Sequence, residues 1–366
     1  MTISAFIKVL EKLAPISLKE DYDNVGLLVG ESNWECSGTM ICLDVTEAVI
    51  EEAIAKKCNL VIAHHPIIFG GLKKITAHNY VGRTIIKAIK NEVAIYAIHT
   101  NLDNVIDGVN GKIADMLGLL SRGVLSPKNQ VLQKLAVYVP IASKALLMKA
   151  LFEAGAGDIG HYAESSFSIE GLGTFKPMPG AQPYLGMVGT RHTEVEVKLE
   201  VVFPSWLQQN VLEAMHSAHP YEEVAYELFS LSNEFLEAGS GLLGVLPSPV
   251  EEKAFLSEIK KIFNVKAIKH TSFLGKPIQK VAVCGGAGHF LIKSAMAAGA
   301  DIFITSDLKY HDFFESEGRV LLADIGHYES EQFTIDLLAD ELRQNFPNFA
   351  VLKTNVITNP VHTFFE

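Results

Sequence analysis

Three imidazoles and two carboxylates stand at places in this sequence where they could hold metal. His64 and His65 are adjacent, directly after the apolar run Leu60-Val-Ile-Ala63 and before Pro66. Asp103 closes His99-Thr-Asn-Leu-Asp103, and His327 and Glu331 are spaced i, i+4 in Gly326-His-Tyr-Glu-Ser-Glu331. Imidazole and carboxylate without thiolate suit Zn, Mn, Fe or Co better than Mg or Ca. One catalytic zinc usually takes fewer than five protein ligands, whereas two ions roughly 3.5–4 Å apart, bridged by a carboxylate, would use them all. Asp103 and Glu331 are both candidates for the bridge, since only carboxylates offer two oxygens. The expected cofactor is two divalent metal ions per subunit, zinc first, with Mn, Fe or Co as alternatives.

Each of these groups also has an ordinary reading. The two histidines could be strand-end polar residues, the His327/Glu331 pair a solvated helix face, and Asp103 a turn residue beside Asn101 and Asn104. What favours metal is their placement, because in open α/β sheets sites form just beyond the carboxyl ends of strands. Leu60–Ala63 reads as a buried strand stopped by Pro66. Side chains adjacent on a strand point to opposite faces, so His64 and His65 can serve one site only where the chain turns out of the sheet, and the residue before a proline is held extended there. Val93–Ile98 is a second strand, ending just before His99, and Arg319–Asp324 is a third, ending just before the His327 turn. At i, i+4 His327 and Glu331 share one helix face.

The elements around these strands alternate. Thr39–Val45 reads as a strand, Thr46 as the cap of a helix over Glu47–Lys57, and Tyr80–Lys90 as a helix. Ile3, Phe6, Ile7, Leu10 and Leu13 recur at helical spacing, so the N-terminus reads as an amphipathic helix and not a signal peptide. Strands alternating with helices of this length predict an α/β sheet with substantial parallel pairing. Lys280–Cys284 is a further strand opening onto Gly285-Gly-Ala-Gly288, which could cradle a phosphate or simply form a tight turn. Asp307 and His311 lie past the strand Ala300–Thr305. Asp307 and His311 could line the pocket as proton carriers or be structural, and we read His311 and His99 as the candidate catalytic residues, His99 alternatively as an orienting partner of a ligand or a core histidine.

From Ser126-Pro127 the pattern changes. Strand (Leu135–Val139), helix (Ile141–Ala154), strand (Ser165–Glu170), strand (Val195–Phe203), helix (Ser205–Ala218) and strand (Glu223–Phe229) follow in the order βαββαβ, the ferredoxin-like arrangement. Val137-Tyr-Val-Pro140 and Val201-Val-Phe-Pro204 each precede a helix, so one βαβ unit is used twice, with each proline at a first helical turn. The expected architecture is a split metal-binding α/β core, 1–125 plus 238–366, with an inserted ferredoxin-like domain at 126–237. Within the insertion, His161-Tyr162 and His219-Pro-Tyr-Glu-Glu223 are open between a ligand site and packing or subunit contact.

Composition bounds the rest. The chain has 366 residues, 48% hydrophobic and 20% charged, enough for two cores, and no apolar run approaches the roughly 20 residues that span a bilayer. A formal net charge of −11 disfavours nucleic-acid binding through phosphate neutralisation. Cys36, Cys42, Cys58 and Cys284 are scattered, which argues against a disulfide framework or a thiolate zinc site and fits a reducing cytoplasm.

Five motifs together carry a resemblance: Asp21-Tyr-Asp-Asn-Val-Gly-Leu27, Ala63-His-His-Pro-Ile-Ile-Phe69, His99-Thr-Asn-Leu-Asp103, Asp307-Leu-Lys-Tyr-His311 and Gly326-His-Tyr-Glu-Ser-Glu331. In this order, over nearly the whole chain, they resemble the Nif-three-like family, whose bacterial members are commonly called GTP cyclohydrolase I type 2 homologues. The resemblance implies a dinuclear site from His64, His65, Asp103, His327 and Glu331. It also implies a metal-dependent hydrolase opening GTP or a nucleotide-like substrate with an activated water. For the insertion it implies a CutA/PII-like domain, and for the assembly a homohexameric ring, a trimer of dimers. The competing functional reading is a non-enzymatic metal-handling or regulatory ring. A DNA-associated ring would run against the net charge.

Overall fold

The computed structural model describes residues 1–364. The chain divides into two compact units, Met1–Pro127 together with Leu236–Glu366, and Lys128–Phe235. Among the described residues no helix is long and apolar enough to cross a membrane.

The discontinuous unit is α/β and contains two sheets where the alternation of elements predicts one. The first runs Gly26–Val29, Ala94–Ala97, Leu60–Ala63, Thr39–Cys42, Val351–Lys353, parallel except for the antiparallel edge strand Gly26–Val29. Leu60–Ala63 is buried on both faces, as an inner strand of a parallel sheet covered by helices must be, and this is why it reads as an unbroken apolar run. Thr46 caps the helix Glu47–Ala55 by accepting from the Val49 amide at 3.3 Å. The helix Tyr80–Lys90 is capped by Asn79, which accepts from the Gly82 amide. Ile3, Phe6 and Leu10 seal the N-terminal helix into the core.

The second sheet runs Lys269–His270, Leu321–Asp324, Ile302–Ser306, Ile278–Ala287, Glu234–Val250, Leu120–Asn129. Its central strands Leu321–Asp324, Ile302–Ser306 and Ile278–Ala287 are parallel. Gly285 to Ala287 are therefore not a turn outside the sheet. They belong to the strand Ile278–Ala287, across an irregularity between Val283 and Ala287.

The other unit has the sheet order Ser166–Phe175, His192–Pro204, Leu132–Pro140, Tyr226–Leu231, antiparallel throughout, with helices Lys144–Glu153 and Gln208–Ala218. This is the ferredoxin-like topology. Its two repeats both end a strand at proline, Pro140 and Pro204, and both pass through a short 3-10 turn before the helix. The prolines thus sit one turn earlier than the first-helical-turn expectation, with extended ψ of 140°. Buried Leu135, Val137, Leu147, Leu151, Val201, Phe203 and Met215 form a core of this unit's own.

Candidate metal centre

Three strand ends converge within the α/β unit. Past Leu60–Ala63 the amides of His64 and His65 extend the ladder to Cys42 and Leu43 carbonyls at 3.2 and 2.9 Å. The two rings nevertheless come together at the strand's end, with centroids 4.9 Å apart. Past Ala94–Ala97 comes His99 and then the single helical turn Thr100–Asp103. Past Leu321–Asp324, Gly326 takes a φ of 92° and starts the turn His327–Glu331.

The four rings share one arrangement. Each Nδ1 faces a fixed acceptor: Ile98 carbonyl for His64 at 2.9 Å, Asp44 for His65 at 2.7 Å, Asp307 for His327 at 2.7 Å and Asp23 for His99 at 2.9 Å. An acceptor at Nδ1 selects the tautomer protonated there and frees Nε2 as a ligand, the usual support of metal-binding histidine. The Nε2 atoms of His65 and His327 lie 3.3 Å apart, and both sit within 3.0 Å of Glu331 Oε2. His64 Nε2 faces Asp103 Oδ1 at 3.6 Å and Glu331 Oε1 at 3.8 Å, beyond hydrogen-bond reach.

Two of these atoms, His64 Nε2 and Asp103 Oδ1, are buried without a hydrogen-bond partner among the described residues. Buried polar atoms are rarely left so, and here both are electron-pair donors aimed at one gap. A cation fits that gap, and the donor set suits one. The donors fall into the groups His65, His327, Glu331 and His64, Asp103, Glu331, with His64, His65, His99 as a third. Glu331 is common to the first two, and Asp103 belongs to one.

Charge in the centre is unbalanced in the same sense. Burial pulls His65 and His327 down, but the carboxylates of Asp44 and Glu331 push His65 up to about 9, and those of Asp307 and Glu331 push His327 up to about 11. His64, fully buried, is pulled down to about 4 against the opposing effect of Glu331. Burial, joined by the charge of Glu331, holds Asp103 well above the carboxylate range. Glu331 goes the other way: despite burial, the rings of His327, His64 and His65 hold it well below that range. The carboxylates draw protons onto rings whose Nε2 would serve a metal.

The profile described as Duf34/NIF3 (NGG1p interacting factor 3) matches residues 1–360. The chain belongs to the Duf34/NIF3 family. A Bacillus subtilis relative named GTP cyclohydrolase 1 type 2 homolog is 40% identical over 324 residues, 88% of this chain and 87% of the relative. A Staphylococcus epidermidis relative of the same name is 33% identical over 364 residues, 98% of this chain and 99% of its own. The crystal structure of a Bacillus cereus protein related to NIF3 superposes with a TM-score of 0.86 at 35% identity, covering 100% of this chain and 99% of that one.

In this Duf34/NIF3 chain the five candidate ligands His64, His65, Asp103, His327 and Glu331 come together, and His99 joins them, its ring 5.2 Å from that of His64. His311 does not. It is exposed, edge-on to Tyr310 and beside Phe314, and does not line the cleft over the centre. Two supporting carboxylates, Asp44 and Asp23, escaped sequence reasoning. Asp44 does follow a strand by two residues, and that signal could have found it. Replacing Asp44 with alanine frees the His65 ring, and metal affinity is expected to fall roughly 10–100-fold, read by competition titration with a chelating dye.

Gly286 has a structural duty that the phosphate-cradle reading of its motif overlooked. Its φ is +62°, and a Cβ there would sit 2.4 Å from Glu331 Oε1. Gly286→Ala is therefore expected to push Glu331 aside. The variant also carries the strain of a left-handed alanine, about 1–2 kcal/mol, and should purify with less metal than the parent when both are assayed by mass spectrometry.

Proposed function

We propose that this chain is a metal-dependent hydrolase acting on a nucleotide-like substrate, with a dinuclear centre held by His64, His65, Asp103, His327 and Glu331. The observation that carries the reading is the pair of donor groups sharing Glu331, which presents Oε2 to His65 and His327 and Oε1 to His64. That geometry supports Glu331 rather than Asp103 as the bridge. Two divalent cations would supply Lewis-acid activation of water and of an electrophilic substrate carbon or phosphorus.

The chain's own residues supply the rest. A cleft of about 1240 Å³ opens over the centre, lined by the rings of Tyr22, Phe69, Tyr80 and Phe290 and by Lys269. The rings offer flat faces to a purine, and Lys269, although 3.5 Å from Asp324, offers charge to a phosphate. Asp23 is pinned by the amide and hydroxyl of Thr100 at 3.1 and 2.5 Å. It thereby fixes His99 at Nδ1 and leaves Nε2 to carry a proton to or from the bound substrate. This relay role is supported for His99 by position. His311 has no such support.

The relatives' name supports GTP as the first substrate to test. Chain purified without a metal-affinity step and reloaded with zinc or manganese is expected to turn over GTP or another nucleotide, and His99→Asn to slow turnover while retaining metal. Absence of turnover across nucleotides and phosphoesters, with both metals bound, would sink the hydrolase reading in favour of a metal-handling one.

We extend the proposal to self-association, up to the hexamer that the family resemblance implies. Supporting it, the edge strand Ser166–Phe175 leaves Phe167, Ile169 and Leu172 exposed, and an apolar unpaired edge favours pairing with another chain. Light scattering on the intact chain reads the mass, and a monomer at micromolar concentration would contradict it.

A further inference from the structure

A second cavity, of about 350 Å³, lies wholly within the ferredoxin-like unit. It forms between the end of the strand Ser166–Phe175 with the segment after it and the turn that follows the helix Gln208–Ala218. Tyr138, Phe175, Tyr184 and Tyr221 line it, and the Tyr221 centroid lies 5.7 Å from that of Phe175 and 6.3 Å from that of Tyr184. The polar group among them is Glu196, only 9% exposed. Its Oε1 accepts a hydrogen bond from the Tyr221 hydroxyl at 2.8 Å.

The Glu196 carboxyl is buried and meets a phenol rather than a cation. Among the described residues no lysine, arginine or histidine forms an ion pair with it, and a phenol supplies a hydrogen bond but no charge. A buried carboxylate in that state is costly unless a cation joins it. The local backbone is adapted to keep it there. Its side chain crosses Gly173, where a Cβ would lie 1.9 Å from Oε2. Glu222 and Glu223 also line the cavity, and Glu222 is held by the Gln182 amide at 2.9 Å. Against these three carboxylates stands one lysine, the exposed Lys176.

Ring faces attract cations, and most strongly where water is excluded. An anionic ligand would meet three carboxylates, and a neutral apolar one would leave Glu196 unpaired. We propose that this cavity binds a small organic cation, with an ammonium or guanidinium head seated among Phe175, Tyr184 and Tyr221 and its charge against Glu196. The site is separate from the metal centre and does not depend on the hydrolase reading.

Calorimetric titration of the intact chain with choline and with agmatine tests this, with dimethylbutanol as the neutral isostere of choline. At least one cation is expected to bind saturably, one per chain, and dimethylbutanol not to bind. Glu196→Gln should weaken binding by at least about tenfold. Tyr184→Ala, which alters a ring that is already 58% exposed and so leaves the fold intact, should weaken it several-fold. Glu331→Gln should bind as the parent does, which separates this site from the metal centre. Failure of both cations to bind into the millimolar range would overturn the proposal. So would equal binding of dimethylbutanol, or parent-like binding by folded Tyr184→Ala and Glu196→Gln.

Discussion

Glu331→Gln is expected to empty the whole metal centre, while Asp103→Asn and His327→Gln each empty only part of it. Glu331 is 3% exposed and places one oxygen toward His65 and His327 and the other toward His64. Glutamine keeps the shape but removes the charge and turns one ligand atom into an N–H donor. Its N–H can face His64 Nε2, which the Nδ1 bond to the Ile98 carbonyl leaves as an acceptor, and its carbonyl oxygen the His65 and His327 rings, so the variant should fold. Loss of a shared anionic ligand should lower affinity at both positions by more than the roughly 10–100-fold typical of a supporting residue. Asp103 belongs to one donor group and His327 to the other, so each single change leaves a complete partner group. The readout is metal content per chain after dialysis against a mild chelator. Retention of either ion by Glu331→Gln would remove the bridging role.

The second large effect is a reversal in how stability depends on pH. In metal-free chain His65 is held up at about 9 and His327 at about 11, against an ordinary 6.5. Each therefore binds its proton more tightly folded than unfolded. Their contribution is complete below about 6.5 and is lost as pH rises through about 9 and then about 11. Asp103, with its carboxyl raised, acts in the same sense as it ionises. His64, pulled down to about 4, costs stability only as pH falls below 6.5. Metal-free chain should thus lose stability, by a few kcal/mol, from pH 6.5 to 9. Metal-loaded chain should behave oppositely over the same interval, because protons compete with metal for the same Nε2 atoms and ligand binding stabilises only the folded state. Thermal unfolding at both pH values, with chelator and with zinc, reads the two slopes. Equal signs would contradict the account.

The parts of this site that are local in sequence were legible there. An apolar run that stops at two histidines, and a histidine with a glutamate one helical turn later, announce themselves because strand ends and i, i+4 spacing are short-range facts. The inserted unit was legible for a similar reason: its two repeats each show a strand, a proline and a helix within some twenty residues of chain. The supporting carboxylates were harder to read, since Asp44 falls within the expected strand Thr39–Val45 and Asp23 within the motif Asp21–Leu27, and the rings they hold, His65 and His99, lie 21 and 76 positions away. The split into two sheets was hidden by distance too. Val351–Lys353 pairs with Thr39–Cys42 across most of the chain, and no local pattern records that choice. Gly286 shows the limit from the other side. Its motif left a phosphate cradle and a tight turn open, and the packing adds a third duty, a glycine that makes room for Glu331.

The central claim is that two cations flank Glu331. Anomalous diffraction at the zinc edge, from crystals of chain reloaded with zinc, tests it most directly. The account predicts two peaks roughly 3.5–4 Å apart, one beside His65, His327 and Glu331 Oε2, the other beside His64, Asp103 and Glu331 Oε1. A single peak, or two peaks that do not share Glu331, would contradict it.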